Sequence, residues 1–349
     1  MPPARGGVRL ALDASRRRHG RSADDGRGGG RPGVGGVILC VAASPSIDKL
    51  FEVERVEIGA IHRPTGFVQV PGGKGLNVAR SAHALGAEVT ATGVLAGHAG
   101  RWIDEALAAE GVRARFAWVD GETRASLSVA DRTGRGLTEF YERGWDIGPE
   151  GWDRLERIVL EVLPSSGWMT LSGNLPVGAP DDGYARLVRL AREAGVPVAL
   201  DARDEALLVG VSAGPQVVKV NAEEAGTLLG IKVETLEEAK EAAEELRWRV
   251  EGEGRAAIVT RGAEGAIVVT PDGAVLRARL YERGPYPVGS GDAFLGGLVT
   301  ALDREATWPD ALAMALGAAA ANAETPGAGR LDRGRAVELS KRAEVLPFG

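Results

Sequence analysis

A single cysteine, Cys40, in 349 residues excludes an intrachain disulfide. Its place in an apolar run suits a buried thiol in a reducing compartment. Four scattered histidines beside that lone cysteine lack zinc-ligand spacing. No apolar run reaches the length of a membrane span, and the N-terminus carries no signal-peptide core. These absences argue for a cytoplasmic protein without a membrane role. The net charge of −6 argues against a general nucleic-acid binder.

Fifty glycines, by contrast, are roughly twice the usual share and predict many tight turns and close backbone approaches. Residues 1–36 hold eight arginines against three aspartates, with few large apolar residues. Such a segment cannot bury enough surface to offset its ordering entropy, so it reads as a disordered tail. The Gly33-Val34-Gly35 pair precedes a strand, whereas a dinucleotide fingerprint follows one. Residues 37–349 read as one α/β domain with a small sheet attached.

The first strand reads as Val37 to Ala42, with Asp48 just beyond its C-terminal end. From about Trp152 onward, strands at Trp168–Leu171, Val196–Leu200, Val217–Val220, Ala257–Thr260 and Ala266–Val269 alternate with amphipathic stretches. That rhythm predicts a mainly parallel sheet covered by helices on both faces. Segments at about 49–71 and 123–142 alternate polar with apolar residues, the pattern of half-exposed strands. Asp131-Arg132-Thr133-Gly134 supplies a hairpin turn between two of them. The last helices are expected over Ala293–Ala301, Asp310–Glu324 and Arg335–Glu344.

One stretch concentrates the chemistry. Val288-Gly289-Ser290-Gly291-Asp292 precedes a helical run, so its backbone amides form a seat for an anion with a carboxylate beside it. Glycine allows close approach of a phosphate, and an oxyanion cradle with a base suits phosphoryl transfer to a hydroxyl. A plain helix cap at Ser290 or Asp292 accounts for the same residues. A second glycine loop, Pro71-Gly72-Gly73-Lys74-Gly75-Leu76-Asn77, opens another helix but lacks P-loop spacing. Further polar groups stand at strand tips: Ser172-Gly173-Asn174, Lys219-Val220-Asn221 with Glu224 three residues on, and Thr260-Arg261-Gly262. Asn221 and Glu224 also suit a helix cap and a first-turn acid. Four such tips along one sheet edge favour a ligand site.

Taken in order, these motifs resemble the ribokinase-like (PfkB) carbohydrate kinases, in the branch that phosphorylates ketohexose phosphates. The resemblance runs from about Val37 to the C-terminus. Its carriers are the Pro71–Asn77 loop, the Val288–Asp292 turn, Asn221-x-x-Glu224 and Ser172-Gly173-Asn174-Leu175-Pro176. The resemblance implies an ATP-dependent kinase acting on a ketohexose phosphate, with fructose 1-phosphate as the leading substrate. Tagatose 6-phosphate and fructose 6-phosphate are the rival substrates. It implies Asp292 as the base and Gly289, Ser290 and Gly291 as the anion hole. Asn221 and Glu224 would organise Mg2+, with Glu224 acting indirectly, and Lys219 would meet nucleotide phosphate, with Thr260 and Gly262 nearby. Asp48, Gly72, Gly73, Lys74, Asn77 and Asn174 would hold the sugar, and Arg124 its phosphate.

The half-exposed strands would form a lid that excludes water, and exposed apolar residues there are compatible with a homodimer. The loop Thr325-Pro326-Gly327-Ala328-Gly329 resembles one that can bind a monovalent cation. The chain departs from the family pattern at Ser44, Val220, Asn174 and Arg143, and the last two fall where the sugar would be read. A non-catalytic sugar or nucleotide sensor on the same fold is the alternative from another functional class. Asp292 beside the glycines weighs against it.

Overall fold

Continuous apolar runs become central strands, because a strand covered on both faces needs no polar side. The first of them, β1 (Val37–Ala42), sends Ile38 and Cys40 into one core and Leu39 and Val41 into the other. The computed structural model describes residues 35–133, 136–250, 252 and 254–349. The tail reading therefore falls on positions that lie, up to residue 34, outside the described residues.

Following β1 in chain order come β2 (Ser46–Val53), β3 (Gly66–Gly72), α1 (Lys74–Ala84), β4 (Val89–Ala96), α2 (Gly97–Ala109) and β5 (Arg113–Val119). Then come β6 (Ala125–Asp131), β7 (Gly136–Tyr141), α3 (Gly148–Val162), β8 (Ser166–Ser172), α4 (Gly183–Glu193), β9 (Val198–Asp201) and α5 (Asp204–Ser212). The chain continues through β10 (Val217–Asn221), α6 (Ala222–Leu229), α7 (Leu236–Arg249), β11 (Ala256–Thr260), β12 (Ala266–Val269) and β13 (Val275–Arg279). It closes with α8 (Ser290–Asp303), α9 (Trp308–Ala323), α10 (Arg333–Ser340) and β14 (Glu344–Pro347).

Ten strands form one sheet in the order β14-β13-β12-β11-β10-β9-β8-β1-β4-β5. From β5 to β11 neighbouring strands are parallel, and β12, β13 and β14 continue as an antiparallel edge. Leu76 of α1, Ile103 of α2, Leu298 of α8, Leu312 of α9 and Leu339 of α10 pack on one face. Leu155 of α3, Leu187 of α4, Leu207 of α5 and Leu246 of α7 pack on the other. Burying both faces in this way is what a mainly parallel sheet requires. This is a ribokinase-like α/β architecture.

The second sheet has the order β3-β2-β6-β7. In β7 every residue is exposed, Phe140 and Tyr141 included. Among the described helices, none is long and apolar enough to cross a membrane.

Several expectations need correction. Asp48 does not trail the first strand: β1 ends at Ala42, and Asp48 lies inside β2, opposite Val70 of β3. The expected helix Arg335–Glu344 is shorter, because Glu344–Pro347 leave it to pair with β13. Pairing across some seventy residues of sequence overrides the local helical pattern there. The strand β5 and the helix α5 were not expected either. Arg113 to Val119 alternates only weakly, and the non-glycine Asp204 opens α5 with a φ of 52°. The turn expected at Asp131–Gly134 joins β6 to β7, although Gly134 lies outside the described residues.

Candidate active site

The site is assembled where β1, β8, β9 and β10 end, under the start of α8. Gly289 caps α8 with a φ of 80°, and a Cβ there would lie 2.7 Å from the Ala328 side chain. Only glycine suits both demands. The Ser290 amide turns back to the Pro287 carbonyl at 3.1 Å. Its hydroxyl receives the Asn322 side-chain amide at 3.3 Å. Ser290 is thus held in the turn, and the amides of Gly291 and Asp292 are left at the open end of the helix. A Cβ on Gly291 would meet nothing nearer than the Lys219 ammonium, 3.6 Å away. An anion seated there gains amides, helix dipole and a cation together.

Asp292 is buried, and its carboxylate accepts a hydrogen bond from Asn77 Nδ2 at 2.9 Å. Burial pushes its pKa up to about 7, the Asp201 carboxylate adds to the rise, and Lys74, Asn77 and Lys219 oppose it. A carboxylate so placed exchanges a proton near neutrality. Asn77 Oδ1 is buried without a hydrogen-bond partner among the described residues. An acceptor left open beside a carboxylate is suited to a hydroxyl donor.

Behind the helix start lies a chain of alternating charges. Asp201, at the tip of β9, is fully buried and accepts from both Lys219 and Lys74, the latter at 2.9 Å. Burial pushes the Asp201 carboxyl up, but the two ammonium groups outweigh it and hold it below the ordinary carboxylate range. Lys74 also reaches Glu224 Oε1 at 3.3 Å. Burial lowers the Lys74 pKa, yet the carboxylates of Asp201, Glu224 and Asp292 together raise it. Glu224 and Asn221 form a reciprocal capping box at the start of α6, with bonds of 2.9 and 2.8 Å. The cap reading of Asn221 and Glu224 therefore describes their backbone bonds, while Glu224 Oε1 faces Lys74 and Arg203.

On the lid side, Asp48 accepts from Ser46 at 2.6 Å and from the Gly73 amide at 3.3 Å. A Cβ on Gly72 would come within 2.0 Å of the Asp48 Cγ, so Gly72 has to be glycine while that carboxylate stays in place. Arg124 precedes β6 and donates to the Ser44 hydroxyl and carbonyl, both at 3.2 Å, and to Ser126 at 3.1 Å. Among the described residues no carboxylate pairs directly with the guanidinium, although Asp48 and Glu142 lie near enough to act on its charge.

Other expected residues stand further out. Asn174 is exposed in the loop after β8. Thr260 donates to the Val220 carbonyl at 3.2 Å, and Gly262 is exposed in the turn after β11. Three residues of the surroundings have no site role in the sequence reading. Asp201 enters it only within Leu200–Leu207, a stretch that resembles the sugar-phosphate branch. Asn322, wholly buried in α9, binds Val288, Ser290 and Gly329 and so ties the α8 turn to the 325–329 loop. Arg80, also buried, donates to the carbonyls of Pro71 and Ala328 and pairs with Glu110. Polar residues inside apolar helices were the available signal for both.

Among the described residues no cluster of three or more His, Cys, Asp or Glu is arranged to hold a metal. Hard oxygen donors at Glu224 fit Mg2+, which commonly takes one or two carboxylates together with substrate phosphates.

The family model for pfkB family carbohydrate kinases matches residues 40–333. A 1-phosphofructokinase from Haloferax volcanii is 33% identical over 279 residues, which is 80% of this chain and 88% of the relative. Two solved structures share the fold. One is described as a possible 1-phosphofructokinase from Thermotoga maritima, with a TM-score of 0.79 and 24% identity, covering 90% of this chain and all of the other. The second is phosphofructokinase-2 from Escherichia coli in complex with potassium, with a TM-score of 0.80 and 24% identity, covering 88% of this chain and 98% of the other.

Proposed function

Because this chain belongs to the pfkB family of carbohydrate kinases, we propose that it transfers the γ-phosphoryl group of ATP to fructose 1-phosphate, giving fructose 1,6-bisphosphate and ADP. The observation that carries the reading is Asp292, a buried carboxylate with a pKa pushed up to about 7, beside the open amides of α8. The identity of the sugar rests on the Haloferax volcanii 1-phosphofructokinase.

In this reading the primary hydroxyl of the sugar lies between Asp292 and Asn77. Asp292 takes the hydroxyl proton as the oxygen forms its bond to the γ-phosphorus, and the bond from that phosphorus to the bridging oxygen of ADP breaks. The Gly291 and Asp292 amides meet the charge on the transferring group, and Lys219 stands behind them. Mg2+ near Glu224 would supply charge neutralisation for the polyphosphate. Asp48 holds sugar hydroxyls from the lid side, where Arg124 offers a guanidinium to the substrate's own phosphate. A monovalent cation at the 325–329 loop belongs to the reading. The Ala328 carbonyl there already accepts from Arg80 at 2.6 Å, so the cation would use the remaining carbonyls. Exposed Phe67, Phe140 and Tyr141 on the small sheet support a homodimer through the lid.

The test is ADP release with magnesium ATP and a panel of fructose 1-phosphate, fructose 6-phosphate, tagatose 6-phosphate and the free sugars. The highest kcat/KM on fructose 1-phosphate is expected. Asp292→Asn should lose about 10²–10⁴-fold in kcat, the usual range for removing a general base. Equal turnover by that variant would remove Asp292 from its role. Binding without turnover on every sugar would mark a sensor.

A further inference from the structure

Arg203 stands at the end of the charge chain, just past β9, and no role in the proposed chemistry uses it. Its Nη2 lies 3.9 Å from Glu224 Oε1, too far for a hydrogen bond. Its side chain is 49% exposed, and among the described residues its guanidinium makes no hydrogen bond. The same Glu224 oxygen already has Lys74 at 3.3 Å, and the other carboxylate oxygen holds the Asn221 amide at 2.9 Å. Glu224 is therefore satisfied without Arg203. A half-exposed ion pair at this separation adds little to stability.

The backbone beside it is unusual. Asp204 adopts a φ of 52°, one of two non-glycine residues with positive φ among the described residues. A left-handed non-glycine residue is disfavoured and persists where the surroundings demand it. This turn starts α5 with Arg203 at the N-cap, and the Arg203 side chain makes no capping bond. It faces a groove of about 260 Å³ that Arg203, Asp204 and Leu208 line on one side, and Asn221, Glu224 and Thr227 on the other. The groove adjoins the Lys74–Asp201–Lys219 chain that leads to Gly291. Lys74 and Lys219 are both held by the buried Asp201. Arg203 alone of the three cations has a planar fork of donors without committed acceptors.

We propose that Arg203 is a nucleotide-binding residue whose guanidinium moves from Glu224 onto the terminal phosphates of a nucleoside triphosphate, presented by the left-handed turn at Asp204. This rests on the kinase reading above for the identity of the ligand. Bidentate recognition of phosphate is the task for which arginine, rather than lysine, is shaped.

The test uses the full chain and two readouts. Binding of a non-hydrolysable ATP analogue with magnesium is measured by calorimetry, and KM for ATP and for sugar phosphate are measured separately. Arg203→Ala should weaken analogue binding and raise the ATP KM by about tenfold or more, with the sugar-phosphate KM within about twofold of wild type. Arg203→Lys should recover part of the loss. Asp204→Gly should keep wild-type nucleotide affinity, since glycine adopts the turn freely, while Asp204→Val should weaken it as Arg203→Ala does. Analogue binding by Arg203→Ala within about twofold of wild type would overturn the proposal, because a charge-assisted bond cannot vanish so quietly. The function reading fails separately, if wild-type protein turns over no sugar phosphate. The calorimetric arm decides on Arg203 in either case.

Discussion

Asn77 donates its side-chain amide to the Asp292 carboxylate at 2.9 Å, joining two residues 215 positions apart. The bond favours the ionised acid, against burial and the nearby Asp201, and so helps set where Asp292 titrates. Activity should therefore rise with pH as Asp292 loses its proton. The kcat/KM profile is expected to show an acid limb near pH 7. Asn77→Ala should move that limb upward, because the bond that favours the charge is gone. A limb that stays in place in the variant would detach Asn77 from the tuning of the base.

The same shift has a consequence for stability. The folded state holds the Asp292 proton up to about pH 7, whereas an unfolded chain releases it near the ordinary value of 3.8. The stability associated with the protonated form is thus complete below the unfolded pKa and is lost as pH rises through 7. Asp292→Asn, neutral throughout, should unfold at a higher urea concentration than wild type at pH 8. The gap should narrow as pH falls toward 4. Parallel pH curves for the two proteins would contradict the raised pKa.

Asp201 is the counter-ion of two lysines and is wholly buried. Removing one partner from a buried ion pair typically costs about 3–5 kcal/mol. Asp201→Ala is expected to show a loss of that order in urea titration, together with a large fall in kcat. The exposed pair Arg186–Asp182, at 2.7 Å, offers the contrast. Asp182→Ala should change stability by no more than about 1 kcal/mol. Comparable losses from both substitutions would mean that the Asp201 cluster is solvated after all.

Among the described residues, Arg124 donates hydrogen bonds only to neutral groups, those of Ser44 and Ser126. If it receives the sugar's phosphate, Arg124→Ala should raise the sugar-phosphate KM by about 10–100-fold, the worth of a charge-assisted hydrogen bond. The KM for ATP should barely move. A free sugar tested in parallel should lose little, since it has no phosphate to hold.

The layered fold was legible because the apolar runs are unambiguous: Val37–Ala42 and Val217–Val220 have no plausible place except the middle of a covered sheet. The glycine turns were legible for a similar reason, since Gly72, Gly73, Gly289 and Gly291 announce close approaches from their residue type alone. Asp201 was not, because its weight comes from Lys74 and Lys219, which arrive from different elements. Nor was β14, which exists only by pairing with β13. Asn174 is a motif position whose place in the loop after β8 gives it exposure to solvent. Local pattern locates backbone features well, and it is blind to partners brought together by topology.

The small sheet is spliced into the chain close to the chemistry. Its strand β2 starts a few residues past β1, and its strand β3 runs through Gly72 directly into α1, which carries Lys74 and Asn77. The sheet is thus a lever whose fulcrum lies at Ser46 and Gly73, where Asp48 clamps the two anchor points together. The distant hairpin of β6 and β7 connects to that fulcrum through the pairing of β2 with β6. Whatever presses on the outer strand would be felt, geared down, at the residues proposed to hold the sugar.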